Sequence, residues 1–313
     1  MRHWRNWLKP RKGEAWSNST SDLPWFQQAD ALQIAERRRA AEKLSDADFE
    51  ILRQWVTDGY FIVDGAVETE HLEGMARDLE NLWSTDDVKD GLVLHDLRTS
   101  ADAAPQNMTH EELVKLPLEQ RQQMKIWSHW RVHEFFKYSE NCNAIHDNAE
   151  FIRVASLLFG RAANAEYTIN FAYGSRQSLH QDSAVFHLFP PHFLAGLWVA
   201  CEDIKPDSGP LVYYPGSHRE KFFPEFDNYP QTNLKTCDKP TQLRYQAFID
   251  NLATRYERHQ FLAKKGQALF WHGMLIHGGD AVQNPQQTRH SYVCHYVPPG
   301  MKQDHRIEGP FNW

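Results

Sequence analysis

The spacing of apolar residues changes once along this chain, near Ala165, from a helical period to an alternating one. Before that point, residues 29–43 predict a charged helix at the end of a basic tail. Ser45 opens the next helix, with Asp48 three residues on as a variant of the capping box. Phe49, Leu52 and Val56 recur along it until Asp58-Gly59. Tyr60 to Val63 is a short apolar run, read as a buried strand. Leu72, Met75, Ala76, Leu79, Leu82 and Trp83 mark one face of a second amphipathic helix. Residues 84–108 have weak periodicity and predict an irregular segment. Thr109 and Glu112 form a capping box for a further helix. The aromatic-rich stretch 127–138 and the face Phe151, Ile152, Ala155, Leu158, Phe159 predict more helix, closed by Gly160.

Beyond Ala165 the pattern is that of strands. Residues 167–173 alternate and are β-rich, and Gly174-Ser175 turns them. Apolar runs follow at 193–204, 211–214, 268–272 and 291–297, separated by Pro, Gly and Asp turns, which indicates a sandwich or barrel. Residues 219–264 interrupt them as a long insertion with one helix, expected over 242–258. The predicted organisation is a basic tail and charged helix over 1–44, then a single catalytic unit over 45–313. In that unit a mostly helical layer (45–160) packs on a β core (165–300).

Composition narrows the classes. A net charge of −7 and a pI near 6.2 leave no basic face to neutralise phosphates, so nucleic acid is excluded as a partner. Eleven tryptophans make much of the apolar content flat and amphipathic, as in pockets. The cysteines, Cys142, Cys201, Cys237 and Cys294, form no C-x-x-C pair, which argues against a zinc knuckle or disulfide framework and for a reducing cytoplasm. The longest apolar run, 193–201, is too short to span a bilayer. Arg2, Arg5, Lys9, Arg11 and Lys12 lie opposite Trp4, Trp7 and Leu8 at helical spacing, with no apolar stretch after them to make a signal peptide. A loosely docked tail is the favoured expectation for residues 1–12, and peripheral contact with an anionic membrane surface the second.

The candidate chemistry centres on His180-Gln181-Asp182. Side chains two apart on extended backbone share one face, so the imidazole and the carboxylate converge. With 17 histidines in the chain, roughly one His-x-Asp is expected by chance, and a polar turn at a strand end explains an isolated pair. A second histidine would complete a two-His-one-carboxylate set, which grips Fe(II) on one side and leaves the opposite positions open. His277 follows a buried-looking strand and precedes Gly278-Gly279, which permit close approach of backbone or ligand. Arg289 opens the strand at 291–297, where a buried guanidinium is costly unless it meets an anion such as a carboxylate. Besides an oxygenase, these residues admit a cupin-like metal hydrolase or isomerase using zinc or manganese, and a non-enzymatic jelly-roll binding module.

The segments SLHQDSAVFH, GPLVYYPGSH and LFWHGMLIHGGDAVQNPQQTRHS resemble the phytanoyl-CoA dioxygenase-like family of Fe(II)/2-oxoglutarate oxygenases. DGYFIVDGAVETEHLEGMARDLENLW resembles that family's N-terminal helix-strand-helix, so the likeness covers about residues 45–300. It implies a mainly β core, a double-stranded β-helix (jelly roll) with N-terminal supporting helices. His180, Asp182 and His277 would bind Fe(II), Arg289 would hold the distal carboxylate of 2-oxoglutarate, and O2 would take the remaining site. The implied reaction hydroxylates an unactivated C–H of a small metabolite, acyl chain or lipid-linked sugar, with decarboxylation to succinate and CO2. Halogenating members have a small residue where this chain has Asp182, so hydroxylation is the expectation. Trp198 matches a tryptophan lining the cosubstrate pocket, and Thr168, Asn170 and Ser291 are placed to reach 2-oxoglutarate. Gln181, Arg176, Phe186, Tyr213 and Trp271 are expected to border the substrate. Pro215-Gly216-Ser217-His218 reads as a tight turn, and His272, His290 and His295 as satisfied core or rim histidines.

Overall fold

The computed structural model describes residues 23–190, 192–226 and 233–304, so the expectation for residues 1–12 lies outside the described residues. The elements, in order, are α1 (Ala31–Glu42), α2 (Asp46–Thr57), β1 (Tyr60–Val63), α3 (Thr69–Asn81), β2 (Val93–Leu97), β3 (Gln106–Thr109), α4 (His110–Val114) and α5 (Leu118–Trp127). Next come β4 (Arg131–His133), α6 (Glu140–His146), α7 (Ala149–Phe159), β5 (Asn164–Phe171), α8 (Asp182–Val185), β6 (His187–Phe189), β7 (Ala195–Ala200) and β8 (Leu211–Tyr213). The insertion contributes α9 (Lys239–Ala253), and the chain closes with β9 (His259–Phe261), β10 (Ala268–His272), β11 (His277–Gly279), β12 (Ser291–Val297) and β13 (Lys302–Asp304).

Local chemistry sets the helix starts. The Ser45 hydroxyl accepts from the Asp48 N–H at 3.1 Å, and Thr109 and Glu112 make a complete reciprocal box at the start of α4. Gly160, at φ 68°, ends α7 in the left-handed conformation that costs glycine nothing. Helix α9 starts earlier than expected, because the Asp238 carboxylate caps it through the Thr241 N–H and Pro240 occupies its first turn.

The β core is a double-stranded β-helix. An antiparallel sheet in the order β1-β10-β7-β12-β5-β4-β2-β3 faces a smaller one, β11-β8-β9. Strands β7, β10 and β12 are buried at every position, because both faces are covered, and so show little alternation of apolar and polar residues. One face lines the cavity between the sheets. The other packs on α3, α6 and α7, where Asn170 meets Met75 and Cys142, and His146 meets the Tyr292 hydroxyl.

Two expectations for the N-terminal half are overturned. Residues 128–138 are not helix: β4 pairs with β5, and a 3-10 turn at Phe135–Lys137 follows. Pairing with an available strand edge outweighs the local aromatic spacing. Residues 84–108 are not wholly irregular, since β2 and β3 lie there and extend the large sheet. Their alternation is broken by a register shift between Leu94 and Leu97, where Asp96, at φ 61°, makes a half-buried ion pair with Arg131 at 2.8 Å.

Candidate metal and carboxylate site

The two histidines and the aspartate come together in the lining of the cavity. His180, two residues before α8, and His277, on β11, form a two-way backbone bridge, with N–H to carbonyl distances of 2.9 and 3.1 Å. Gly278 and Gly279 make this possible: a Cβ there would lie 3.0 Å from the Gln177 carbonyl and 2.8 Å from the Ser175 hydroxyl. Gln181 is extended (φ −114°, ψ 128°), so its neighbours project to the same side. Asp182 then begins α8 instead of continuing a strand. The ligand-type atoms of His180, Asp182 and His277 lie within 4.8 Å of one another.

Hydrogen bonds orient these groups. His180 donates from Nδ1 to the Ser178 carbonyl at 2.8 Å, and His277 from Nδ1 to the Leu275 carbonyl at 3.0 Å. A carbonyl only accepts, so each ring is pinned as the tautomer with a free Nε2 lone pair. Those Nε2 atoms face Asp182 Oδ1 at 3.5 and 3.6 Å. The other carboxylate oxygen, Oδ2, accepts from Trp271 Nε1 at 2.7 Å and from His295 Nε2 at 3.1 Å. Burial pushes the Asp182 carboxyl up, but His277, His295 and His180 hold it well below the usual carboxylate range. Burial pushes the His277 imidazole down to about 4 against the pull of Asp182. An anionic Asp182 and a neutral His277 are in the protonation states that bind a divalent cation.

The far wall holds Arg289, which is 2% exposed. Its guanidinium sits over the rings of Phe171 and Trp198, 5.6 Å from each centroid, and Nη1 donates to the Gly209 carbonyl at 3.1 Å. Nε has no partner among the described residues, nor does the hydroxyl of Ser291, two residues on and outside the cavity lining. Burial lowers the guanidinium to about 10, with Glu202 opposing the shift, so it is cationic at neutral pH. Glu202 does not pair with it, because its oxygens accept from the His290 N–H at 2.6 Å and the Thr288 hydroxyl at 3.0 Å. The cavity thus holds a cation site made of two imidazoles and a carboxylate, and across from it a buried cation awaiting an anion. The donor set fits Fe(II), and the orphaned guanidinium fits a dicarboxylate cosubstrate.

The remaining predicted site residues divide. Trp198, Phe186 and Trp271 line this cavity. Thr168 and Asn170 do not: Ile169 and Phe171 face the cavity, and alternation turns Thr168 and Asn170 toward the helical layer. Gln181 also points away, fully buried, its amide donating to the Met274 carbonyl at 2.9 Å. Tyr213 packs on Tyr60 and His259, and Arg176 is exposed outside the cavity lining. His295, read from the sequence as a core or rim histidine, is buried and donates to the metal-site carboxylate. The signal was its parity with Arg289 and Val293 along one strand, both of which line the cavity.

A family model for phytanoyl-CoA dioxygenase (PhyH) matches residues 55–291. The peroxisomal phytanoyl-CoA dioxygenase of Mus musculus is 22% identical over 244 residues, covering 76% of this chain and 65% of that protein. A probable phytanoyl-CoA dioxygenase of Caenorhabditis elegans is 29% identical over 135 residues, covering 43% and 40%. The chain therefore spans less than two thirds of these curated relatives. Among solved structures, the non-heme alpha ketoglutarate dependent carbocyclase SnoK superposes with a TM-score of 0.59 at 14% identity, covering 86% of this chain and 89% of that one. EctD from S. alaskensis with bound Fe gives 0.56 at 16% identity, covering 86% and 80%. At such identities the likeness is one of fold.

Proposed function

The chain belongs to the phytanoyl-CoA dioxygenase family, and from that premise we propose that it is an Fe(II)/2-oxoglutarate-dependent dioxygenase hydroxylating a C–H bond of a small-molecule substrate. The observation that carries this reading is Arg289: a buried guanidinium with no carboxylate partner, on the wall of the cavity that holds His180, Asp182 and His277. A metal hydrolase or a passive binding module would leave that buried charge uncompensated, at a cost of several kcal/mol.

His180, Asp182 and His277 would hold the iron, and Arg289 would receive the carboxylate of 2-oxoglutarate that lies away from the metal. When bound, iron, cosubstrate and dioxygen together supply the oxidation of a substrate C–H coupled to decarboxylation of 2-oxoglutarate to succinate and CO2. The chain's own part is positional. Backbone carbonyls fix both imidazole tautomers, Trp271 and His295 fix the carboxylate, and Phe171, Ile169, Val293 and Phe186 keep the cavity wall apolar and poor in water. Asp182 occupies the position that a halide needs in halogenating relatives, which favours hydroxylation. A lipid-linked sugar remains within this substrate class only through the basic residues 1–12.

Anaerobic addition of Fe(II) and 2-oxoglutarate is expected to give a weak visible charge-transfer band and, on admitting air with substrate, succinate. His180→Ala and Asp182→Ala should each abolish the band. A band that survives both substitutions overturns the metal assignment.

A further inference from the structure

A second cavity, of about 220 Å³, adjoins the first at His180 and Val185 and is walled by the inserted helix α9. His180 and Val185 line both cavities, so an occupant of the second lies against one residue of the metal site. Helix α9 is fixed to the metal motif at one end. The Tyr245 hydroxyl accepts from the Gln181 N–H at 3.0 Å, and the Gln246 amide donates to the Leu179 carbonyl at 3.2 Å. Tyr245 is itself anchored, stacked on Phe226 and set edge-on to Phe223. From there Gln246, Leu243, Gln242 and Lys239 run back along one helical face toward the N-terminus.

The lining has a polarity. Leu179, Val185, Leu234 and Leu243 make its sides apolar, and Leu243 is 61% exposed, an uncovered leucine on the face of a cavity. Lys239 is the one charged side chain among the lining residues described, and no described carboxylate pairs with it. The neighbouring Asp238 turns its carboxylate onto the Thr241 N–H and is outside the lining. The seven residue steps from Gln246 to Lys239 rise roughly 10 Å along the helix, the length of about eight carbon–carbon bonds in an extended chain.

Resting on the oxygenase reading above, we infer that this cavity is the substrate pocket and that it takes an amphiphile with a carboxylate or phosphate at Lys239 and an apolar chain running to His180. Oxidation then falls on a carbon remote from the anion, not on the carbon beside it.

Calorimetric titration of the full chain without metal, using decanoate, decyl phosphate and decyltrimethylammonium, tests the inference. Decanoate or decyl phosphate should bind and the ammonium should not, and the stronger of the two anions identifies the headgroup. Lys239→Glu should weaken anion binding about fivefold or more, and Leu243→Asp about tenfold. Both side chains are exposed, so both variants should fold, and both should keep the anaerobic charge-transfer band because neither touches the ligands. Turnover of the bound anion should place the hydroxyl away from the headgroup. A wild-type chain that forms the band but binds neither anion, binds the ammonium equally well, or keeps its affinity in both variants overturns the pocket while leaving the oxygenase reading intact. Absence of the band in the wild-type chain overturns the oxygenase reading instead.

Discussion

Replacing His295 with leucine isolates the support behind the metal site, since it removes one of two donors to Asp182 Oδ2 and leaves Oδ1 facing His180 and His277. Asp182 is 3% exposed, so water does not restore the lost bond. A hydrogen bond to a charged group contributes about 1.5–3 kcal/mol, and at about 1.4 kcal/mol per decade its loss predicts roughly ten- to hundredfold weaker Fe(II) binding. That range agrees with the usual cost of removing a group that orients a metal ligand. The assay is anaerobic titration with Fe(II), read on the 2-oxoglutarate charge-transfer band, alongside urea unfolding of the metal-free chain. His295→Gln, which keeps an N–H donor, should recover part of the affinity. Gly196→Ala reaches the same oxygen from the other side, because a Cβ there would lie 2.0 Å from Trp271 Cε2 and displace the indole that donates to Oδ2. If His295→Leu binds Fe(II) within twofold of the wild-type chain, the carboxylate needs no such support and the reasoning fails.

Arg289→Met should separate stability from function: loss of an unpaired buried charge leaves the metal-free chain as stable or more stable, while 2-oxoglutarate affinity falls by roughly a hundredfold or more. Thermal unfolding and cosubstrate titration check the two halves, and parallel losses in both would contradict the account. Acid should destabilise the fold through His218, whose burial holds it neutral, down to about 4, beneath the Val56 carbonyl and beside His272. Its folded value lies below the unfolded one of about 6.5, so the unfolded chain binds the extra proton and stability is lost as pH falls from about 6.5 toward 4. The loss is on the order of 3 kcal/mol. His218→Gln should flatten the urea midpoint across that window, and an unchanged slope would remove His218 as the cause.

Groups whose chemistry is local were legible in the chain itself. Ser45, Thr109 with Glu112, and Gly160 mark helix ends because each cap closes within three or four residues. His180, Asp182, His277 and Arg289 could be picked out because few roles suit those residue types at those places, and the family resemblance supplied their order. Tertiary structure decided what depends on which face is which. Thr168 and Asn170 alternate with Ile169 and Phe171, but β5 is buried on both sides over those residues, so no contrast between polar and apolar positions says which pair meets the cavity. For the same reason His295 looked like any buried histidine until β12 was seen to carry it over Asp182. Strands β2, β3 and β4 stayed hidden because they add in turn outward from the edge of β5, an edge that exists only once distant parts of the chain have paired.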